Sequence, residues 1–201
     1  HEPSENKTLL LAGNPNVGKS TVFNALTGLK QHTGNWTGKT VELARGGFIF
    51  NDCGYTVYDL PGTYSLNFNS AEEKVASDFI LKNNCDLTIV VVDATCLGRN
   101  LILALQILEM GGDVLICLNL MDEAKRRGIE IDASKLEKEL GAPVVAIAAK
   151  NKRDILKLKE KIRSTQSKRS GSAPRNIYPG FINNALDDIA EALESDLGEN
   201  N

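Results

Sequence analysis

Apolar residues along the chain fall into short unbroken runs that alternate with stretches of helical spacing. Thr8-Leu9-Leu10-Leu11-Ala12 is one such run, ending at Gly13, and it has the pattern of a strand buried on both faces. After a glycine-bearing turn, Val22, Phe23, Leu26 and Leu29 share one helical face, so a helix is predicted over 20–29, opening at the turn of Gly18-Lys19-Ser20. Strands are predicted at 41–50, 55–60, 87–93, 113–119 and 144–148, and helices at 71–81, 100–110, 133–140 and 154–165. This alternation predicts an α/β fold, with a mostly parallel central sheet and helices on both faces. Only Asn51-Asp52-Cys53-Gly54 separates the second and third strands, so those two should pair antiparallel. The segment between the first helix and the second strand, 31–40, contains Thr33, Gly34, Thr37, Gly38 and Thr40 with few apolar anchors, and is predicted as a mobile loop. The first domain is read as 1–165 and is followed by a linker at 166–180, rich at its start in serine, lysine, arginine and glycine. Phe181, Ile182, Leu186, Ile189, Leu193 and Leu197 then mark one amphipathic helix, so 181–201 reads as the start of a truncated helical domain.

Composition narrows the class. A chain of 201 residues with 42% hydrophobic content can bury one full core. The balance of 23 basic and 26 acidic side chains gives a formal charge of -3 and no general attraction for nucleic acid. Cys53, Cys85, Cys96 and Cys117 lack paired spacing, which suits reduced, buried thiols of a cytosolic protein rather than a zinc site or disulfide framework. The longest apolar runs, around 89–92 and 114–118, fall far short of the roughly 18 residues of a membrane span, so this fragment is expected to be soluble. Its opening at His1 carries no signal peptide, and a membrane segment elsewhere in a parent protein stays open. The two histidines, His1 and His32, have no cysteine partner, so iron binding by this domain is not expected.

Gly13-Asn14-Pro15-Asn16-Val17-Gly18-Lys19-Ser20 fits the spacing G-x-x-x-x-G-K-[ST] and stands between a predicted strand and a predicted helix. Glycines there let the backbone curl, so that successive N–H groups point at phosphates and the helix turns its positive end toward the same anion. Lys19 is expected to reach the β- and γ-phosphates, with Thr21 joining the loop residues around the nucleotide. Ser20 would give its hydroxyl to Mg²⁺, which takes few protein ligands and keeps several waters. Asp59-Leu60-Pro61-Gly62 ends a strand in the correct order after this loop. Asp59 is the expected outer Mg²⁺ anchor, and Gly62 offers an N–H to the γ-phosphate that is lost on hydrolysis. Asn119-Leu120-Met121-Asp122 supplies a carboxylate able to accept both N1–H and N2–H of guanine, a pair adenine lacks. Ala148-Ala149-Lys150 should add backbone contacts to the base carbonyl. In the mobile loop, Thr40 is the best candidate for a second Mg²⁺ hydroxyl, with Thr33 and Thr37 as alternatives. Trp36 is read either as a partly buried anchor or as a partner contact. These residues predict a P-loop, Ras-like domain that binds GTP and GDP and hydrolyses GTP.

With these motifs assembled, the chain resembles the cytoplasmic N-terminal domain of the FeoB family of bacterial ferrous iron transport proteins, over about residues 7–165. The discriminating elements are Gly13-Asn14-Pro15-Asn16, Gly34-Asn35-Trp36 with Gly38 and Thr40-Val41-Glu42, Asp59-Leu60-Pro61-Gly62-Thr63-Tyr64-Ser65-Leu66, and Asn119-Leu120-Met121-Asp122-Glu123-Ala124. Leu120 stands where most GTPases carry lysine, and FeoB-like proteins also place an apolar residue there. The resemblance implies a K⁺ site at Asn16 completed by backbone carbonyls near Gly34, Asn35 and Trp36, the ion acting as an arginine finger does. It also implies slow turnover, because Thr63 occupies the place of the water-orienting glutamine of Ras-like proteins. It further implies a parent protein in which this domain sits at the cytoplasmic face of the bacterial inner membrane and regulates a membrane iron channel on the same polypeptide. A homo-oligomer is compatible with that arrangement. Two other readings stay open: a GTPase of the ribosome-assembly or tRNA-modification kind, and a nucleotide switch that acts by occupancy with scarcely any hydrolysis.

Overall fold

The computed structural model describes residues 5–28, 31–35, 42–66, 71–81 and 85–166. Along the chain they form β1 (Glu5–Gly13), α1 (Lys19–Thr27), β2 (Gln31–Asn35), β3 (Glu42–Phe50), β4 (Cys53–Asp59), α2 (Ala71–Leu81), β5 (Leu87–Asp93), α3 (Leu97–Glu109), β6 (Val114–Asn119), α4 (Met121–Arg126), α5 (Ala133–Leu140), β7 (Val144–Ala146) and α6 (Lys152–Gln166). The seven strands lie in the order β2-β3-β4-β1-β5-β6-β7. From β4 to β7 all pairs are parallel, and β2-β3 and β3-β4 are antiparallel.

Side chains on the central strands alternate between two cores. Leu10 and Ala12 of β1, Val90 and Val92 of β5, and Ile116 and Leu118 of β6 face one core with Phe79 of α2 and Leu103 and Ile107 of α3. Leu9, Leu11, Ile89, Val91, Leu115 and Cys117 face the other, against Val22, Phe23 and Leu26 of α1 and Ile155, Leu158 and Ile162 of α6. Both faces of these strands are therefore apolar, which is why they read as continuous runs. Each fully buried Leu, Ile or Val stabilises the fold by roughly 1.5–3 kcal/mol. The hairpin between β3 and β4 turns at Asn51 and Asp52, both at positive φ (47° and 61°), the backbone shape of a tight hairpin turn that Asn and Asp tolerate.

The structure revises several expectations. Half of the loop predicted at 31–40 is the edge strand β2, whose residues pair from Gln31↔Gly46 to Asn35↔Glu42. An edge strand is held by a single ladder of backbone bonds, so a polar Gln-His-Thr-Gly-Asn sequence forms it without any apolar alternation. The short helix α4 was not predicted, being six residues long with only Ala124 buried. A 3₁₀ turn at Ala94–Cys96, capped by the Asp93 carboxylate accepting the Thr95 N–H at 2.7 Å, leads into α3 three residues before the predicted start. The four cysteines are free, as expected, but they are not all buried. Cys117 lies in β6 with no exposure, and burial pushes its thiol up to about 12, whereas Cys96 ends the 3₁₀ turn at the surface. Trp36, Thr37, Gly38, Thr40, the linker from 167 and the amphipathic segment 181–197 lie outside the described residues. Among the described residues no helix is long and apolar enough to cross a membrane.

Candidate functional site

The parallel strands deliver their C-terminal ends to one edge of the sheet. β1 sits between β4 and β5, so the chain leaves β1 toward one side and returns on the other, and the crevice of a doubly wound sheet opens at such a reversal. Gly13, Asp59, Asp93 and Asn119 end β1, β4, β5 and β6 there.

The loop from β1 to α1 curls through two left-handed residues, Asn16 (φ 66°) and Gly18 (φ 82°). Gly18 is the N-cap of α1 and no side chain caps the helix, so its first amides are left to face a ligand. Asn14, Pro15, Asn16, Gly18, Lys19, Ser20, Thr21 and Gly62 line a cleft of about 530 Å³. Ser20 and Thr21 are exposed, Val17 is buried beneath the loop, and Gly62 packs on Pro15, so closely that a Cβ there would stand 3.3 Å from the Pro15 backbone. Asn14 is 3% exposed, and its Oδ1 accepts no hydrogen bond among the described residues. Such an orphaned acceptor costs roughly 1–3 kcal/mol until a water or another donor completes it.

Lys19 bonds the Asp59 carboxylate and also donates to the Leu60 carbonyl at 2.5 Å. Burial pushes the Asp59 carboxyl above the ordinary aspartate range, and the Lys19 ammonium pulls against that without overcoming it. Thr63 N–H donates to the Gly13 carbonyl at 3.3 Å, tying the segment after Gly62 to the end of β1. The same segment is tied to α3: the Arg99 guanidinium lies 4.7 Å over the Tyr64 ring, and Leu66 N–H donates to Gln106 at 3.0 Å.

A second cleft of about 260 Å³ adjoins the first through Gly18 and Thr21 and is bordered by Asn119, Leu120, Asp122, Ala149 and Lys150. Leu120, at φ 62°, turns the chain from β6 into α4 and sets Asp122 in the helix's first turn, exposed toward this cleft. Asn119 is wholly buried: its Nδ2 donates to the Val17 carbonyl at 3.0 Å, and its Oδ1 accepts the Ala149 N–H at 3.1 Å. One side chain thus joins the phosphate loop to the loop after β7. Ala148 N–H donates to Asp154 at 2.9 Å. Asp154 was not among the predicted site residues, and neither were Glu123 and Arg126, which border the second cleft. Only the place of Asp154 in the first turn of α6 signals it beforehand.

Gly18→Ala is expected to damage both clefts. A Cβ at Gly18 would stand 2.4 Å from Asn119 Nδ2, and the left-handed backbone adds about 1–2 kcal/mol of strain. The denaturation midpoint should fall by the equivalent of about 2–4 kcal/mol, counting the displaced Asn119 bridge. An unchanged midpoint would show that the loop can relax around the methyl group.

Comparison with known proteins places this geometry. The family described as Ferrous iron transport protein B matches residues 7–162. The Fe(2+) transporter FeoB of Escherichia coli is 40% identical over 194 residues, covering 94% of this chain and 25% of that protein. The FeoB of Salmonella typhimurium is 46% identical over 156 residues, 76% of this chain and 20% of that protein. The chain therefore spans about a quarter or less of the curated relatives it matches. Among solved structures, the FeoB G domain of Methanococcus jannaschii is 47% identical, with 81% of this chain and 99% of that one covered and a TM-score of 0.72. The cytosolic domain of T. maritima FeoB in a GDP form is 38% identical, with 94% and 75% covered and a TM-score of 0.85. The chain belongs to the FeoB family of ferrous iron transport proteins, as its N-terminal, guanine-nucleotide-binding G domain.

Proposed function

We propose that this domain binds GTP and GDP across the two clefts, hydrolyses GTP, and passes its nucleotide state to the membrane iron-transport part of its parent protein. The observation that carries the reading is the Asn119 bridge, which fixes the phosphate loop and the base loop in one frame, as a ligand with phosphates at one end and a base at the other requires. Asp122 accepts N1–H and N2–H of guanine. Because the Ala148 and Ala149 amides donate to Asp154 and Asn119, Lys150 N–H is the loop donor assigned to the base carbonyl. Lys19 exchanges Asp59 and the Leu60 carbonyl for β- and γ-phosphate oxygens.

Exposed Ser20 and the single carboxylate of Asp59 suit a small hard cation that keeps most of its waters, and the unpaired Asn14 Oδ1 suits a hydrated surrounding. Ser20, Asp59 and Thr40 are assigned to Mg²⁺, and Asn16 with the Gly34 and Trp36 carbonyls to K⁺; when bound, these ions offset phosphate charge as the bond to the leaving oxygen breaks. Gly62 N–H holds the γ-phosphate oxygen while water attacks the phosphorus, giving GDP and phosphate. When that oxygen leaves, Gly62 is released, and the Arg99–Tyr64 and Gln106–Leu66 contacts carry the change toward α3. Turnover is slow because Thr63 is buried, 5% exposed, and offers no amide to the water. In the parent protein the domain lies at the cytoplasmic face of the membrane.

The potassium assignment is tested by phosphate release in potassium and in sodium buffers of equal ionic strength. The wild-type rate should rise about tenfold or more in potassium, and Asn16→Ala should turn over equally slowly in both. A potassium response that persists in Asn16→Ala would remove Asn16 from the ion site.

A further inference from the structure

We infer that Asp154 is a positioning residue for guanine recognition, holding the loop 148–150 in the shape that receives the base; this rests on the nucleotide-site reading above. The loop reads Ala148-Ala149-Lys150, and neither alanine has a side chain that could brace it. Its shape is imposed from outside. The Asn119 carboxamide accepts the Ala149 N–H from the end of β6, and the Asp154 carboxylate accepts the Ala148 N–H from the first turn of α6. Ala148 O accepts the Asn151 N–H at 2.8 Å, so residue 148 is held on both sides. Two adjacent amides are thereby turned to acceptors on two different elements, α6 and the end of β6.

Asp154 is itself fixed. Lys157 donates to its other carboxylate oxygen at 3.0 Å, and α6 is seated in the core through Ile155, Leu158 and Ile162. Burial alone would raise the Asp154 carboxyl, but the Ala148 amide and the Lys157 ammonium outweigh it and hold the group below the ordinary aspartate range. It is therefore a charged acceptor at neutral pH. Asn119 serves both loops, whereas Asp154 touches the base loop alone, so its removal should be felt at the base.

The test is release of a fluorescent GDP analogue, chased with excess unlabelled nucleotide. Loss of one charge-assisted bond predicts about tenfold faster release for Asp154→Ala. Asp154→Asn keeps an acceptor oxygen in place and should stay within about threefold of wild type. Inosine diphosphate keeps the 6-carbonyl and lacks only the 2-amino group, so Asp154→Ala should weaken it by the same factor as GDP, while Asp122→Ala should weaken GDP more. Release from Asp154→Ala at the wild-type rate, or from Asp154→Asn as fast as from Asp154→Ala, would overturn the inference; the second result would leave only a helix-end charge. Should the alanine variant fail to fold, Asp154→Glu, which displaces the carboxylate by one methylene, decides: faster release supports the inference and an unchanged rate overturns it. If Asp122→Ala also releases at the wild-type rate, the base-site reading itself falls, a result distinct from a failure of Asp154 alone.

Discussion

Asp122→Asn should lose GDP by a factor of about 10² to 10⁴ and gain xanthosine diphosphate in its place. The carboxylate accepts from N1–H and from the 2-amino group, two charge-assisted bonds of roughly 1.5–3 kcal/mol each. An asparagine in the same rotamer offers one acceptor and one donor. Its NH₂ then opposes the 2-amino group of guanine but complements the 2-carbonyl of xanthine, so the change is a reversal and not merely a weakening. Asp122 sits in the first turn of α4, exposed and outside the core, so the fold should survive the substitution. Titration calorimetry with both diphosphates measures the switch. Retained GDP affinity with no gain for xanthosine diphosphate would place base recognition elsewhere.

Lys19→Ala should abolish measurable hydrolysis, with a fall in kcat/KM of about 10³ or more, since the lysine is the cation assigned to the transferring phosphate. The same variant should lose stability without any ligand. Asp59 is 13% exposed and Lys19 is its bonded cation, and breaking such a buried pair from one side costs about 3–5 kcal/mol. The pH dependence carries a definite sign. Burial already raises Asp59 in the folded protein, and removing Lys19 raises it further. A group whose folded value is raised favours the folded state fully below its unfolded value, and that contribution is lost as pH rises through the folded one. The deficit of Lys19→Ala relative to wild type should therefore be largest near neutral pH and shrink as pH falls toward the ordinary aspartate value of about 3.9. Chemical denaturation at several pH values reads it directly. A deficit independent of pH would mean that Lys19 stabilises by packing alone.

The fold was legible where burial on both faces forces a continuous apolar run. β1, β5 and β6 announce themselves for that reason, and the helices of the two covering layers follow from their spacing. That the phosphate loop, Asp59, Gly62 and Asp122 would gather at one edge of the sheet was legible from the order of their motifs after apolar strand runs. β2 and α4 were not: one is a polar edge strand held by backbone bonds, the other six residues long with one buried side chain. Asn119 was read as a nucleotide contact, and its bridging role emerges only when Val17, 102 residues away, is brought beside it. Asp154 escaped notice because its partner is a backbone amide, and a backbone amide leaves no trace in residue identity.

Guanine-selective hydrolysis at the joined clefts is tested by multiple-turnover phosphate release from GTP and from ATP, each with Mg²⁺ in potassium buffer. Slow, repeated turnover of GTP and none of ATP above background is the expected result. Equal release from both nucleotides would contradict the role of Asp122, and tight GTP binding without release over hours would contradict hydrolysis and leave a switch that acts by occupancy.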